Sequence, residues 1–165
     1  MNTGQMLLSI GAIFLLSFLI LRVNTTQLRT EEDMGNTKFG IMAISVATSV
    51  IEAASNKAYD ENSYNNFVSS LTQLTDPTKL GPDKAEVYPN FNDFDDYNGL
   101  DQDISIPGDI NSLHINCTVV YVTPIQPDIK SSIKTFSKKI DVAVSSKYMQ
   151  DTIKLSSIFS YWKKL

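Results

Sequence analysis

The stretch Met6–Leu21, MLLSIGAIFLLSFLIL, decides the fold. It carries no charged side chain, and neither do Met1 to Gln5 before it. Sixteen helical residues span roughly 24 Å, short of a ~30 Å hydrocarbon core. With Met1 to Gln5 included the span reaches roughly 31 Å, enough to cross a bilayer. The run is apolar on every helical side, and a chain of about one domain's size rarely encloses such a helix. A cleaved secretory signal is the competing reading. However, no Lys or Arg precedes the run, and the following LRVNTT offers no small-x-small cleavage site. The expectation is a retained membrane or assembly helix. Arg22 and Arg29 behind it would, by the positive-inside rule alone, put the C-terminal side in the cytoplasm; Glu31, Glu32 and Asp33 count little in that rule.

Outward from this run the chain stays helical. Val23–Gly35 is polar and helix-compatible, with a weak point at Gly35 and Asn36. From Phe39 the helical period returns: Phe39, Met42, Ala43, Val46, Val50 and Ala54 fall on one face. The first 57 residues therefore read as one long helix, or two collinear ones, whose second half must pack on something. A short helix is predicted over Ser63–Leu74, with Phe67, Leu71 and Leu74 on one face. Residues 1–34 form the projecting part and 35–165 a head, with a helix over 37–57, a loop region over 76–112 and an antiparallel sheet over 113–162.

Asp76-Pro77 and Gly81-Pro82 break regularity, and Leu80–Ile110 reads as a long loop. Its aromatics, Tyr88, Phe91, Phe94 and Tyr97, can pin it to a sheet. The last third alternates as strands do. Leu113, Ile115, Cys117, Val119 and Tyr121 share one face. Phe136, Ile140, Val142 and Val144 share another, and Ile153, Leu155, Phe159 and Tyr161 a third, within a strand over Thr152–Trp162. The predicted class is α+β, a long N-terminal helix packed on an antiparallel sheet of about three to four strands.

Composition excludes several functions. One Cys and one His leave no disulfide framework, Cys-rich zinc site or His-pair metal motif. A net charge of −4 argues against a nucleic-acid binder. Charge is divided along the chain: residues 61–110 carry 2 basic and 10 acidic side chains, residues 111–165 carry 8 and 3. That pattern bears on association more than on fold. No phosphate loop, nucleophile elbow or zinc-protease motif is present, so no enzyme activity is expected. Cys117 reads as a buried small hydrophobe and His114 as a surface or edge residue. Asn24-Thr25-Thr26 and Asn116-Cys117-Thr118 match the glycosylation pattern, the second inside a predicted strand.

The acidic stretch is the one candidate ligand site. Asp93, Asp95, Asp96, Asn98, Asp101 and Asp103 lie close together beside Gly99. Ca²⁺ takes six to eight oxygens from a flexible loop, and Asp and Asn at short spacing can supply them. The EF-hand spacing is not met, and a solvated or hydrogen-bonded acidic loop is the competing reading.

The order of an uncharged apolar helix, an amphipathic continuation, a variable loop and a C-terminal antiparallel sheet resembles the type IV pilin and pseudopilin superfamily. In that family a peptidase cuts after a Gly and the fifth mature residue is commonly Glu. Here the resemblance implies either cleavage at Gly4-Gln5, with Ser9 fifth, or a mature chain starting at Met1, with Gln5 at the Glu position. Gln5 could still accept a hydrogen bond from a neighbouring N-terminal amine. Family assembly would run through Gly4, Gln5, Met6, Leu7, Leu8, Phe14, Leu15, Leu16, Phe18 and Leu19. Gly4, Ser9, Gly11, Ala12 and Ser17 would allow close helix approach. The implied partners are copies of itself, related pilin-like subunits, assembly machinery and the membrane. The implied location is the cytoplasmic membrane, then a cell-surface filament. Some pseudopilins bind Ca²⁺ in a loop near the sheet. The alternative is a membrane-anchored extracytoplasmic binding module, Ca²⁺-dependent or not, that never polymerises.

Overall fold

The computed structural model describes residues 2–106 and 112–161. Met1, Trp162 and residues 107–111 of the expected loop lie outside them. One helix, α1 (Thr3–Ser55), runs unbroken through Gly35 and Asn36. Its 53 residues extend roughly 80 Å. Its hydroxyl side chains bond the helix itself. Ser9, Ser17, Thr26, Thr30 and Thr37 each donate to the carbonyl four residues back, at 2.8–3.0 Å. Polar groups in the apolar segment are thereby satisfied without water.

Residues 2–34 are all exposed. Burial begins at Gly35 and reaches the core at Phe39, Ala43, Ala47, Val50 and Ala54. Met42 and Val46 are partly buried against the same core. The stripe matches the expected face, and Ala47 joins it. Small Ala side chains let the helix lie close on the sheet.

The predicted helix over Ser63–Leu74 is not formed. In its place stand α2 (Glu61–Tyr64) and a 3-10 turn, Leu71–Gln73, joined by extended chain. Side chains compete with the helix here: Asp60 caps α2, and Gln73 Oε1 accepts from the Ser69 and Ser70 amides at 2.8 and 3.0 Å. Leu74 is buried, whereas Phe67 and Leu71 are exposed.

The sheet has five strands rather than three to four: β1 (Asp101–Ser105), β2 (Ser112–Thr123), β3 (Gln126–Lys130), β4 (Ser137–Ser145) and β5 (Ile153–Ser160). All pairings are antiparallel, in the order β1-β2-β4-β5, with β3 folding back on the end of β2. β1 and β3 escape the alternation rule because they are short, polar edge strands. Leu113, Ile115, Cys117, Val119 and Tyr121 of β2 and Ile140, Val142 and Val144 of β4 are buried as expected. Phe136 precedes β4 and is only partly covered. α1 lies across β4 and β5. At its lower edge the β4–β5 connection grips the helix: Tyr148 stacks on Phe39 at 5.1 Å, and the Gln150 amide donates to Asn36 Oδ1 at 3.1 Å.

Candidate functional site

Two features stand out, the projecting helix and the acidic loop. Gly4, Gln5, Met6, Leu7, Leu8, Phe14, Leu15, Leu16, Phe18 and Leu19 all lie on the projecting part of α1, and all are exposed. Leu8 is 77% and Leu15 74% accessible. Large apolar side chains exposed around the whole circumference constitute a surface that water does not tolerate. This helix is long and apolar enough to cross a membrane, which fits a membrane anchor or a signal sequence.

The acidic loop is packed rather than solvated as a unit. Phe91, Phe94 and Tyr97 are buried, and Phe91 meets Tyr97 edge-on at 5.1 Å. Phe94 packs on Phe159 at 5.1 Å. The loop is also bonded to the segment just after α1, where the Phe94 amide donates to the Ala58 carbonyl at 2.9 Å. At Gly99, whose φ of 83° suits glycine, the chain turns to pair with Cys117.

The six candidate calcium ligands divide among separate environments. Asp93, Asp95 and Asp96 are buried. Asn98 bridges backbone: its Oδ1 accepts from the Val119 amide and its Nδ2 donates to the Leu80 carbonyl, both at 2.9 Å. Asp101 and Asp103 stand on the exposed face of β1, where His114 reaches them at 3.1 and 3.0 Å. Asp93 and Asp96 turn inward on their own backbone. Asp93 Oδ1 accepts from the Asp95 amide at 2.8 Å, and Asp96 Oδ2 from the Asn92 amide at 3.0 Å. Among the described residues no three acidic, His or Cys side chains converge in a way that could hold a metal ion. The spacing that suggested a single ligand set is spread over a turn and a strand.

The cation at the centre of the buried part is an ammonium. Lys138 of β4 is fully buried. Its Nζ donates to Asp60 Oδ2 at 2.9 Å, to the Tyr59 carbonyl at 2.9 Å and to Asp95 Oδ1 at 2.5 Å. The rings of Tyr59 and Tyr121 flank it at 4.6 and 5.2 Å. Asp60 also accepts from the Thr75 amide at 3.0 Å, the Thr75 hydroxyl at 3.0 Å and the Tyr121 hydroxyl at 3.3 Å. The cluster thus joins the end of α1, the acidic loop, β2 and β4.

Burial opposes ionisation of Asp60, Asp93, Asp95, Tyr59 and Tyr121, and the partners decide the outcome. For Asp60, the Lys138 charge and the hydrogen bonds from Lys138, Thr75 and Asn62 outweigh burial and hold its carboxyl below the usual range. Asp95 is shifted up by burial, only partly offset by Lys138. Asp93, buried beside Asp95 and Asp96, is pushed up to about 8. Burial raises the Tyr59 and Tyr121 hydroxyls and pushes the Cys117 thiol up to about 12, which leaves it a poor nucleophile.

Sequence reasoning missed Lys138 and Asp60. The signal for Lys138 was its position, in register with the inward-facing Ile140, Val142 and Val144. A lysine on a core face must be paired.

Comparison with known protein families, curated proteins and solved structures finds no match.

Proposed function

We propose that this chain is a structural subunit of a helical filament of the pilin or pseudopilin kind. The observation that supports this reading is the division of α1. Its C-terminal half is a packed part of the head, while Thr3–Met34 of the same helix are all exposed and bury nothing in the core. Thr3–Met34 projects roughly 48 Å, more than a ~30 Å hydrocarbon core requires. In this reading Met6–Leu21 waits in the cytoplasmic membrane and later moves into a bundle of identical helices. The apolar surface is covered in both states, which accounts for its being apolar all round. Gly4, Ser9, Gly11, Ala12 and Ser17 allow the helices to approach. The head then faces outward at the cell surface. The work of the chain is mechanical, with copies of itself, related subunits and assembly machinery as partners.

The identity of Gln5 favours a second reading. A side chain without a carboxylate cannot form an ion pair with a neighbouring terminal amine, only a hydrogen bond to it. An anchored extracytoplasmic module that never polymerises would not need one, and its partner would meet the head.

Electron microscopy of material sheared from cells expressing the full chain, with the N-terminal mass of the sheared protein, separates the two. The filament reading expects filaments built of this chain, starting at Met1 or Gln5. Intact protein confined to the membrane fraction, with no filaments, overturns it in favour of the anchored module.

A further inference from the structure

We propose that the Lys138 amine and the Asp95 carboxyl condense into an intramolecular isopeptide bond, with Asp60 shuttling the protons. The inference is independent of whether the chain polymerises.

The geometry supplies the parts of such a reaction. Nζ and Oδ1 are 2.5 Å apart, on side chains 0% and 3% exposed. Nζ is hydrogen-bonded to the carboxyl group whose carbon it would attack, so the two reactants need no diffusive search. The pocket is walled by rings: Tyr59 and Tyr121 against the ammonium, with Phe159 5.7 Å from Tyr59 and 5.1 Å from Phe94. Such walls exclude the water that would hydrolyse the product.

The two carboxylates on Lys138 are not equivalent. Asp60 is fixed by Thr75, Asn62 and Tyr121 as well as by Lys138. It is held as a base at 2.9 Å from Nζ. Asp95 makes the closer contact and presents the acyl carbon. The step balances without any co-reactant. One ammonium proton passes to the Asp95 carboxylate, giving an amine and a carboxylic acid. The amine nitrogen attacks Cγ of Asp95, and Asp60 takes a proton from that nitrogen. Asp60 returns the proton to the departing hydroxyl, the C–O bond breaks, and one water leaves. The link would join β4 covalently to the acidic loop that precedes β1.

The test is peptide mapping by mass spectrometry on the full chain, purified in detergent and held at neutral pH. The expected result is a branched peptide joining Lys138 to Asp95, lighter by one water than its two parts, and lost in Lys138→Arg, which keeps the charge but cannot form this amide. Asp60→Asn should leave the branched peptide absent or greatly delayed. Wild-type protein yielding only the two linear peptides overturns the proposal. So does a water loss confined to one linear peptide, which would be a cyclised aspartate.

Discussion

Lys138 Nζ donates to Asp60 Oδ2 at 2.9 Å, with neither side chain exposed, across 78 positions of sequence. Asp60 follows the end of α1 and Lys138 enters β4, so this contact fixes where the helix ends on the sheet. Removing one partner of a buried pair leaves the other charge uncompensated and costs about 3–5 kcal/mol. Lys138→Met should therefore lose that much stability in urea unfolding of the full chain. A loss below 1 kcal/mol, on the order of a surface ion pair, would show that the cluster is not a structural tie.

The buried carboxyls titrate in opposite senses. Asp93 has its folded pKa raised to about 8 by burial and by the charges of Asp95 and Asp96, with Lys138 opposing. Its contribution is fully present below the ordinary carboxylate pKa and is lost as pH rises through about 8. Asp60 is depressed, so its contribution is present above the ordinary range and lost as pH falls through its lowered value. Stability should fall between mildly acidic pH and pH ~8, and fall again in strong acid. Asp93→Asn can keep the bonds to the Asp95 and Asp96 amides. It should flatten the first slope and leave the acid limb intact, as read from urea midpoints across pH.

The parts of this fold with a strong period were legible from residues alone. The stripe from Phe39 to Ala54 and the alternation in Leu113–Tyr121 each have one correct face, and the core uses it. What escaped has a local cause. DQDIS in β1 shows no apolar alternation because its partner is only β2, and QPDIK in β3 sits on a hairpin at the sheet's margin. The acidic loop was visible as a cluster of oxygens. Its division between Lys138, its own backbone and His114 depends on contacts up to 43 residues away, which spacing along the chain does not encode.

Asn98 illustrates the difference between a ligand and a tie. Both ends of its amide are engaged by backbone, at Leu80 and Val119. Asn98→Ala strands both groups, and a lost buried hydrogen bond with an unsatisfied partner costs about 1–3 kcal/mol. The destabilisation should be the same in EDTA and in excess Ca²⁺. A deficit that appears only with Ca²⁺ present would make Asn98 a metal ligand.

Ala43 and Ala47 are fully buried where α1 crosses the sheet. Extra methylenes in a packed site typically cost about 1–3 kcal/mol. Ala47→Leu should be destabilised by that amount in urea unfolding. Ile41→Ala, on the 65% exposed side of the same helix, should change stability by no more than about 0.5 kcal/mol. Equal effects at the two positions would mean that the helix face is misassigned.

Leu15 separates the stability of the head from the work of the projecting helix. It lies in the middle of Met6–Leu21, 74% exposed, and no residue from 2 to 34 contributes to the core. A lysine at a helix centre costs about 2.5–3.5 kcal/mol of membrane insertion. In a filament core the same ammonium would be repeated in every subunit. Leu15→Lys should therefore leave the urea midpoint of the head unchanged while abolishing sheared filaments. Leu28→Lys, beyond the apolar run, should leave membrane retention intact. Undiminished filaments from Leu15→Lys would place the assembly contacts in the head and remove the reason for an unbroken apolar circumference.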